Sequence, residues 1–344
     1  MTLSHLAELL AYTQERSGPT AARQTRFVSA YFENADPEEV SAREPAKLYA
    51  IADAHWRLFD APRNPQSAKV RVFNPTLAED GFVSDHTVIQ IVNDDMPFLV
   101  DSVTMAINRS NRTAHWVVHP LMRVTRDAQG KVLTVGSAAA DDADPASPVE
   151  SLILVECDRI VATAEQQALC AELTRVLGDV RSAVQDWRPM LAHMRETAVA
   201  IAAATMPDTH RQEGLDFLAW LEDRHFTFLG ARDYDLQRDG STVRLVARAD
   251  SGLGILRGPV KTSEVLLPPE AVALLDSNEA LLVTKALTRA TVHRPAWLDC
   301  VAVKRFNAAG EVVGEARFLG LYTATAYQAT TFLTVMCDFQ VTQV

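Results

Sequence analysis

The amino-acid sequence predicts an α+β protein: ferredoxin-like βα modules with flanking helices, followed by a second, strand-rich α+β module. Three observations carry that expectation. Residues 86–111 pass from an apolar strand into an amphipathic helix through three polar residues. Three more strand patterns and a long helical run follow. This gives the order β-α-β-β-β-α of one sheet with helices on one face. Beyond residue 205, short apolar runs alternate with turn signals, as in an antiparallel sheet.

Within residues 86–111, Val88, Ile89, Ile91 and Val92 surround Gln90, and their β-branching favours a buried strand. Asn93, Asp94 and Asp95 can cap a helix. Pro97 suits a first helical position, where no N–H is needed. Leu99, Val100, Val103 and Ile107 recur at helical spacing, with Asp101 in the first turn, where the helix dipole favours an anion.

Residues 1–66 read as an N-terminal helical segment. Phe27, Val28, Tyr31 and Phe32 form one apolar patch; Leu48, Ile51, His55, Trp56 and Phe59 form another. A turn-rich stretch, 60–65, ends it. Residues 67–205 read as the first α+β domain. It has strands at 69–74, 115–125, 131–135 and 151–157, besides the strand of 86–111, and a helical run over 162–204. Gly130 supplies the positive φ of a hairpin turn over 127–130. Small, acidic residues 137–148 read as a loop. Residues 206–327 read as the second domain, with a helix at 214–223 and strands at 225–236, 242–249, 281–286, 298–306 and 312–322.

A chain of 344 residues is long enough for two or three domains with cores of their own. The net charge of −11 leaves no surplus of Lys and Arg for nucleic acid. No window of about 18 uncharged apolar residues exists, so no membrane span is expected. The first residues lack a basic leader and a cleavage site, so no signal peptide is expected. Cys157, Cys170, Cys300 and Cys337 are scattered without a CxxC pair, as in reduced thiols of a cytoplasmic protein.

Four groups carry chemistry worth weighing. SGLGILRG, with Gly252, Gly254 and Gly258, tempts a dinucleotide reading. Its spacing is G-x-G-x-x-x-G, and Pro259 follows instead of a helix start, so it reads as a turn or loop. His115 and His119 stand four apart in an extended run without a third ligand, so they read as sheet histidines and no metal site is expected. Asp94, Asp95 and Asp101 either cap the helix or join its first N–H groups in a small-ligand site. Lys285, Arg289, His293 and Arg294 are the densest basic patch, near Lys304 and Arg305. They can bind a carboxylate or phosphate, contact an acidic neighbouring domain, or form a solvated face. No catalytic triad order, nucleophile elbow, phosphate loop or H-E-x-x-H motif occurs, so no catalytic residue is expected.

Several strings resemble the N-terminal region of the large bacterial NAD-specific glutamate dehydrogenases. VNDDMPFLVDSV (92–103) is similar to that family's first ACT-like segment, and GLDFLAWLEDRHFTFLGARDYDL (214–236) to the start of its second. SGLGILRG, LLVTKALTRATVHRPAWLDCVAVKRF and GEARFLGLYT follow in the family's order. The likeness covers nearly all of residues 1–327. It implies two ACT-like modules and a regulatory and assembly region of a cytoplasmic, homo-oligomeric enzyme. That enzyme converts L-glutamate to 2-oxoglutarate with NAD. The catalytic domain comes later in the family's far longer chain. The resemblance therefore implies no NAD-binding residue here, and no dehydrogenase activity in these 344 residues. ACT-type modules present amino-acid effectors at the strand–helix junction, which maps onto Asn93, Asp94, Asp95, Met96, Pro97 and Asp101. Two alternatives stand: a stand-alone amino-acid sensor and a purely structural oligomerisation module. Residues 328–344 depart from the family's pattern, which implies a frameshift or an incomplete gene model.

Overall fold

The computed structural model describes residues 3–64, 66–140, 146–240, 242–260 and 264–328. Part of the acidic loop, Cys337 and nearly all of the divergent tail lie outside the described residues. The chain divides after Gly178 into two compact units.

Unit 1 starts with four helices, α1 (Leu3–Ser17), α2 (Ala21–Tyr31), α3 (Pro37–Ser41) and α4 (Pro45–Asp60). Asp36 accepts from the N–H groups of Glu38 and Glu39 to cap α3, and prolines open both α3 and α4. Then come β1 (Lys69–Phe73), α5 (Leu77–Asp80), β2 (Thr87–Asp94), α6 (Leu99–Arg109), β3 (Ala114–Val118), β4 (Leu121–Arg126), β5 (Val132–Ser137), β6 (Val149–Cys157) and α7 (Thr163–Gln185). The run expected as one strand over 115–125 is two, because His119-Pro120 interrupts it; both halves pair with β6. Gly130, at φ 81°, closes the β4–β5 turn.

Among the described residues the sheet order is β1-β2-β6-β4-β5, with β3 also on β6. β6 is antiparallel to both β2 and β3. β2 and β3 therefore run parallel with β6 inserted between them, and α6 connects them. This is the split βαβ arrangement of the ferredoxin-like plan.

Helices cover both faces of the sheet, not one. Leu9, Phe27, Tyr31, Leu48 and Phe59 from the N-terminal helices cluster with Val88, Val92, Trp116, Leu152 and Leu154. Alternation sends Ile89, Ile91, Ile153 and Val155 to the opposite face, and they are buried as well. α6 and the start of α7 contribute the buried Leu99, Val103, Ile107, Leu169 and Leu173. One polar link runs through the first core. His55 Nε2 donates to the Ile91 carbonyl (3.1 Å), so its Nδ1 accepts from the Tyr31 hydroxyl (2.7 Å). Burial holds this imidazole neutral and pushes its pKa down to about 3.

The helical run expected over 162–204 breaks at Asp186, after α7. Unit 2 continues with α8 (Trp187–Ala203), α9 (Asp208–Trp220), β7 (Phe226–Asp239), β8 (Thr242–Ala247), β9 (Leu253–Gly254), β10 (Glu264–Leu266), α10 (Pro269–Leu275), β11 (Leu281–Arg289), β12 (Trp297–Phe306), β13 (Val312–Tyr322) and α11 (Ala324–Gln328). The sheet is antiparallel in the order β10-β8-β7-β13-β12-β11, with β9 on β7. Met190, Met194, Phe217 and Leu218 of α8 and α9 pack on Phe228, Val301, Val303 and Phe318 of the sheet. Among the described residues no helix is long and apolar enough to cross a membrane.

The glycine-rich run has a packing role. Gly254, at φ 60°, passes so close to β7 that a Cβ would overlap the Leu229 carbonyl. Its N–H donates to Asp186 Oδ2 (2.8 Å), which Arg257 Nε also reaches (2.9 Å). Gly254→Ala should therefore lower stability by at least about 2 kcal/mol, through steric overlap and backbone strain. Urea unfolding checks this; an unchanged midpoint would refute the account. His55 gives a pH prediction. The unfolded imidazole takes up a proton below about pH 6.5, the buried one only near pH 3. This group's contribution is complete above pH 6.5 and is lost as pH falls from 6.5 to 3, by at most about 1.4 kcal/mol per pH unit. Unfolding midpoints measured across that window should show a shallower slope in His55→Gln than in the unaltered chain.

Candidate functional site

The strand–helix junction sits where β2 ends and α6 begins. β2 continues through Asn93 and Asp94, further than a capping role for those residues allows. The residue before the helix is Phe98, in a left-handed conformation at φ 73°; Pro97 lies in the turn ahead of it. A polar triplet and a proline thus look like a helix start, whereas the chain uses them to leave the sheet and turn.

Strand alternation parts the expected site residues. Asn93 and Asp94 point to opposite faces of the sheet. Asn93 is fully buried, and its Nδ2 donates to the Asp94 carbonyl (3.0 Å). It sits opposite Ser151 of β6, whose hydroxyl contacts His119 Nε2 at 2.7 Å. Burial lowers the pKa of His119, against the pull of the Asp95 charge. Asp95, Pro97 and Asp101 are exposed and Met96 is half-buried. The Asp95 N–H donates to the Val149 carbonyl at 3.0 Å.

Asp94 faces the other way, into an ionic cluster. Arg63 binds Asp94 Oδ1 (2.5 Å) and Glu150 Oε1 (3.0 Å). Arg126 grips Glu150 with two bonds of 2.8 Å, the bidentate geometry guanidinium favours. The side chains of Arg63 and Glu150 are only 4% and 5% exposed, against 33% for Asp94. Burial works against the Arg63 charge, but Asp94 and Glu150 outweigh it and raise its pKa. Lys69 lies beside this set. Burial, aided by Arg126 and Arg63, pushes its pKa down to about 8.

Arg63, Arg126 and Glu150 have no place in the sequence reading. Arg63 sits in what reads as a mere stop, and Glu150 just outside the apolar strand pattern. A charged residue at the mouth of a buried strand is the available signal, since burial demands a partner.

The other candidates resolve into local contacts. His115 Nε2 pairs with Asp158 at 2.7 Å, and its ring lies 4.5 Å from that of His86. In the basic patch, Lys285 pairs with Asp299, Arg289 covers the Trp297 ring and Arg294 donates to the Tyr322 carbonyl (2.7 Å). His293 takes a left-handed turn at φ 75°. Cys157, Cys170 and Cys300 are free thiols, and burial pushes Cys157 and Cys300 up to about 11. A separate cleft in unit 1, of 750 Å³, is lined by Arg26, Phe32, Glu33, Arg123 and Ser137 among others.

Residues 27–173 match the family described as "Glutamate dehydrogenase, ACT1 domain". That segment belongs to this domain family. It contains the sheet, the junction and the ionic cluster. The chain is also similar to NAD-specific glutamate dehydrogenases. It is 34% identical over 317 residues to that of Halomonas elongata, covering 89% of this chain and 19% of the relative. It is 33% identical over 325 residues to that of Pseudomonas aeruginosa, covering 92% and 20%. For Mycobacterium tuberculosis the identity is 27% over 295 residues, covering 83% and 17%. The chain thus spans about a fifth of the length of these curated relatives.

The ACT1 segment's buried charges are open to a direct check. Glu150→Leu leaves two buried guanidinium groups without their shared carboxylate and should destabilise by about 3–5 kcal/mol. Asp94→Asn removes a partly exposed partner and should cost about 1 kcal/mol or less. Equal losses in chemical denaturation would contradict this ranking.

Proposed function

We propose that this chain is a regulatory and assembly region of an NAD-dependent glutamate dehydrogenase, whose hydride transfer takes place on other residues of the whole enzyme. The parent reaction, oxidative deamination of L-glutamate to 2-oxoglutarate, comes from the relatives' name and the family resemblance. The regulatory role rests on the ACT1 match together with one observation: the exposed carboxylates of Asp95 and Asp101 flank the β2–α6 junction. A free amino acid carries one ammonium and one carboxylate. Asp95 and Asp101 suit the first; the N–H groups at the start of α6 suit the second. Self-association in the cytoplasm is part of this reading. NAD belongs to the parent enzyme and not to this region.

Calorimetry of the full chain against a panel of L-amino acids tests the effector. Saturable binding of one of them is expected, weakened at least tenfold in Asp95→Asn, whose exposed side chain leaves the ionic cluster intact. The absence of binding by any amino acid would overturn it. The purified chain should form no NADH from glutamate and NAD; glutamate-dependent NADH would overturn the non-catalytic assignment.

A second reading is that of a structural module. The capture of Asp94 by Arg63, which Glu150 also holds, favours it, because a carboxylate held in an ion cluster fixes a fold whether or not a ligand arrives.

A further inference from the structure

Unit 2 brings three ligand-type side chains together. His210 and Glu213 stand three residues apart on α9, so they share one face of that helix. Glu279 comes from the segment between α10 and β11. His210 Nδ1 lies 3.3 Å from Glu279 Oε2 and 3.9 Å from Glu213 Oε2. The three donor atoms all fall within 4.8 Å of one another; no other group of three His, Cys, Asp or Glu among the described residues does this. No spacing in the sequence announces the set, because Glu279 is separated from the helical pair by more than sixty residues.

Two features show that the convergence is built into the fold. Gly214 follows Glu213, and a Cβ there would stand 2.9 Å from the Ala280 side chain. The missing side chain lets α9 approach the 279–281 segment closely enough for the carboxylates to meet the imidazole. The turn carrying Glu279 is fixed from below. Its N–H donates to Ser277 Oγ (3.4 Å), and the buried Lys304 amine donates to the Ser277 carbonyl (2.8 Å).

The histidine nitrogen supplies the independent sign of a ligand. His210 Nδ1 is buried and makes no hydrogen bond among the described residues, although a carboxylate oxygen is 3.3 Å away. A buried polar atom in that condition calls for an explanation. A cation shared by the three groups provides one. Imidazole and carboxylate ligands bind zinc at about 2.0–2.2 Å, which puts neighbouring donors roughly 3–3.5 Å apart. The His210–Glu279 separation of 3.3 Å already fits, and the Glu213 oxygen stands at 3.9 Å from the imidazole.

We propose that His210, Glu213 and Glu279 bind a divalent first-row transition-metal ion, with water in the remaining positions. One imidazole with two carboxylates suits such an ion better than calcium or magnesium, which favour all-oxygen sets. The ion ties α9 to the turn before β11, so it stabilises unit 2.

The test uses the full chain after treatment with a chelator, with zinc chloride as titrant in calorimetry. One equivalent is expected to bind. His210→Gln and Glu279→Gln should each weaken that binding at least tenfold. Zinc should raise the unfolding temperature of the unaltered chain and leave that of both variants unchanged. Cobalt(II) reports the ligand set directly: a visible absorption band should appear with the unaltered chain and be lost in His210→Gln. Circular dichroism establishes that the variants are folded; should one fail, the other carries the comparison. No stoichiometric zinc binding, or binding undiminished by either substitution, would overturn the proposal.

Discussion

Glu150 is a buried carboxylate on the central strand of a sheet covered on both faces, and much of unit 1 follows from supplying it with partners. Arg126 reaches it from the end of β4 and Arg63 from the turn after α4. The opposite end of β6 repeats the device. Glu156 is buried too, and Arg43 of the helical segment binds it at 3.2 Å while lying over the Trp116 ring. Between the two glutamates, Leu152 and Leu154 enter the core made with α1, α2 and α4. One face of β6 therefore reads acid, apolar, apolar, acid. The helical segment matches it with apolar residues between two arginines, so it covers the sheet in a fixed position.

The parts of this fold legible in the sequence are those set by neighbouring residues. Alternation and β-branching mark β2, helical periodicity marks α6, and Gly130 marks a hairpin, with φ of 81°. What escapes is set at a distance. Pro120 ends a strand pattern that otherwise runs on to residue 125. Asp186 breaks a helical run whose periodicity continues, and its carboxylate is engaged by Gly254 and Arg257, about seventy residues later. No local pattern shows that a second layer of helices covers the sheet, because the N-terminal helices advertise an apolar face without naming what it meets.

The candidate site was legible in the same partial way. Periodicity marks the β2–α6 junction, and the family resemblance is what makes it a candidate site. Its internal arrangement follows from neither, because a strand sends adjacent residues to opposite faces. Asn93 and Asp94 are neighbours in the chain, yet one joins Ser151 and the other Arg63. Density of charge in the sequence proved a poor guide to shared function in the basic patch, where Lys285, Arg289 and Arg294 each serve a different local partner. Gly254 of SGLGILRG answers to a backbone carbonyl and a buried aspartate.

Why a fold should keep a buried ion cluster at all is a question of specificity more than of strength. Desolvating the four groups offsets most of their attraction, and apolar replacements of similar volume are often as stable. Register is different. Asp94, Glu150 and Met122 stand in one row across β2, β6 and β4. A slip of one residue along β6 would turn Glu150 to the face lined by Ile89, Ile91 and Ile153, away from both arginines. Leaving that charge unpaired costs several kcal/mol, far more than a slip among interchangeable Val, Ile and Leu side chains would. The same cluster that fixes the register also holds Asp94 at the edge of the junction. The geometry of the junction is thus set by the pairing of the central strands.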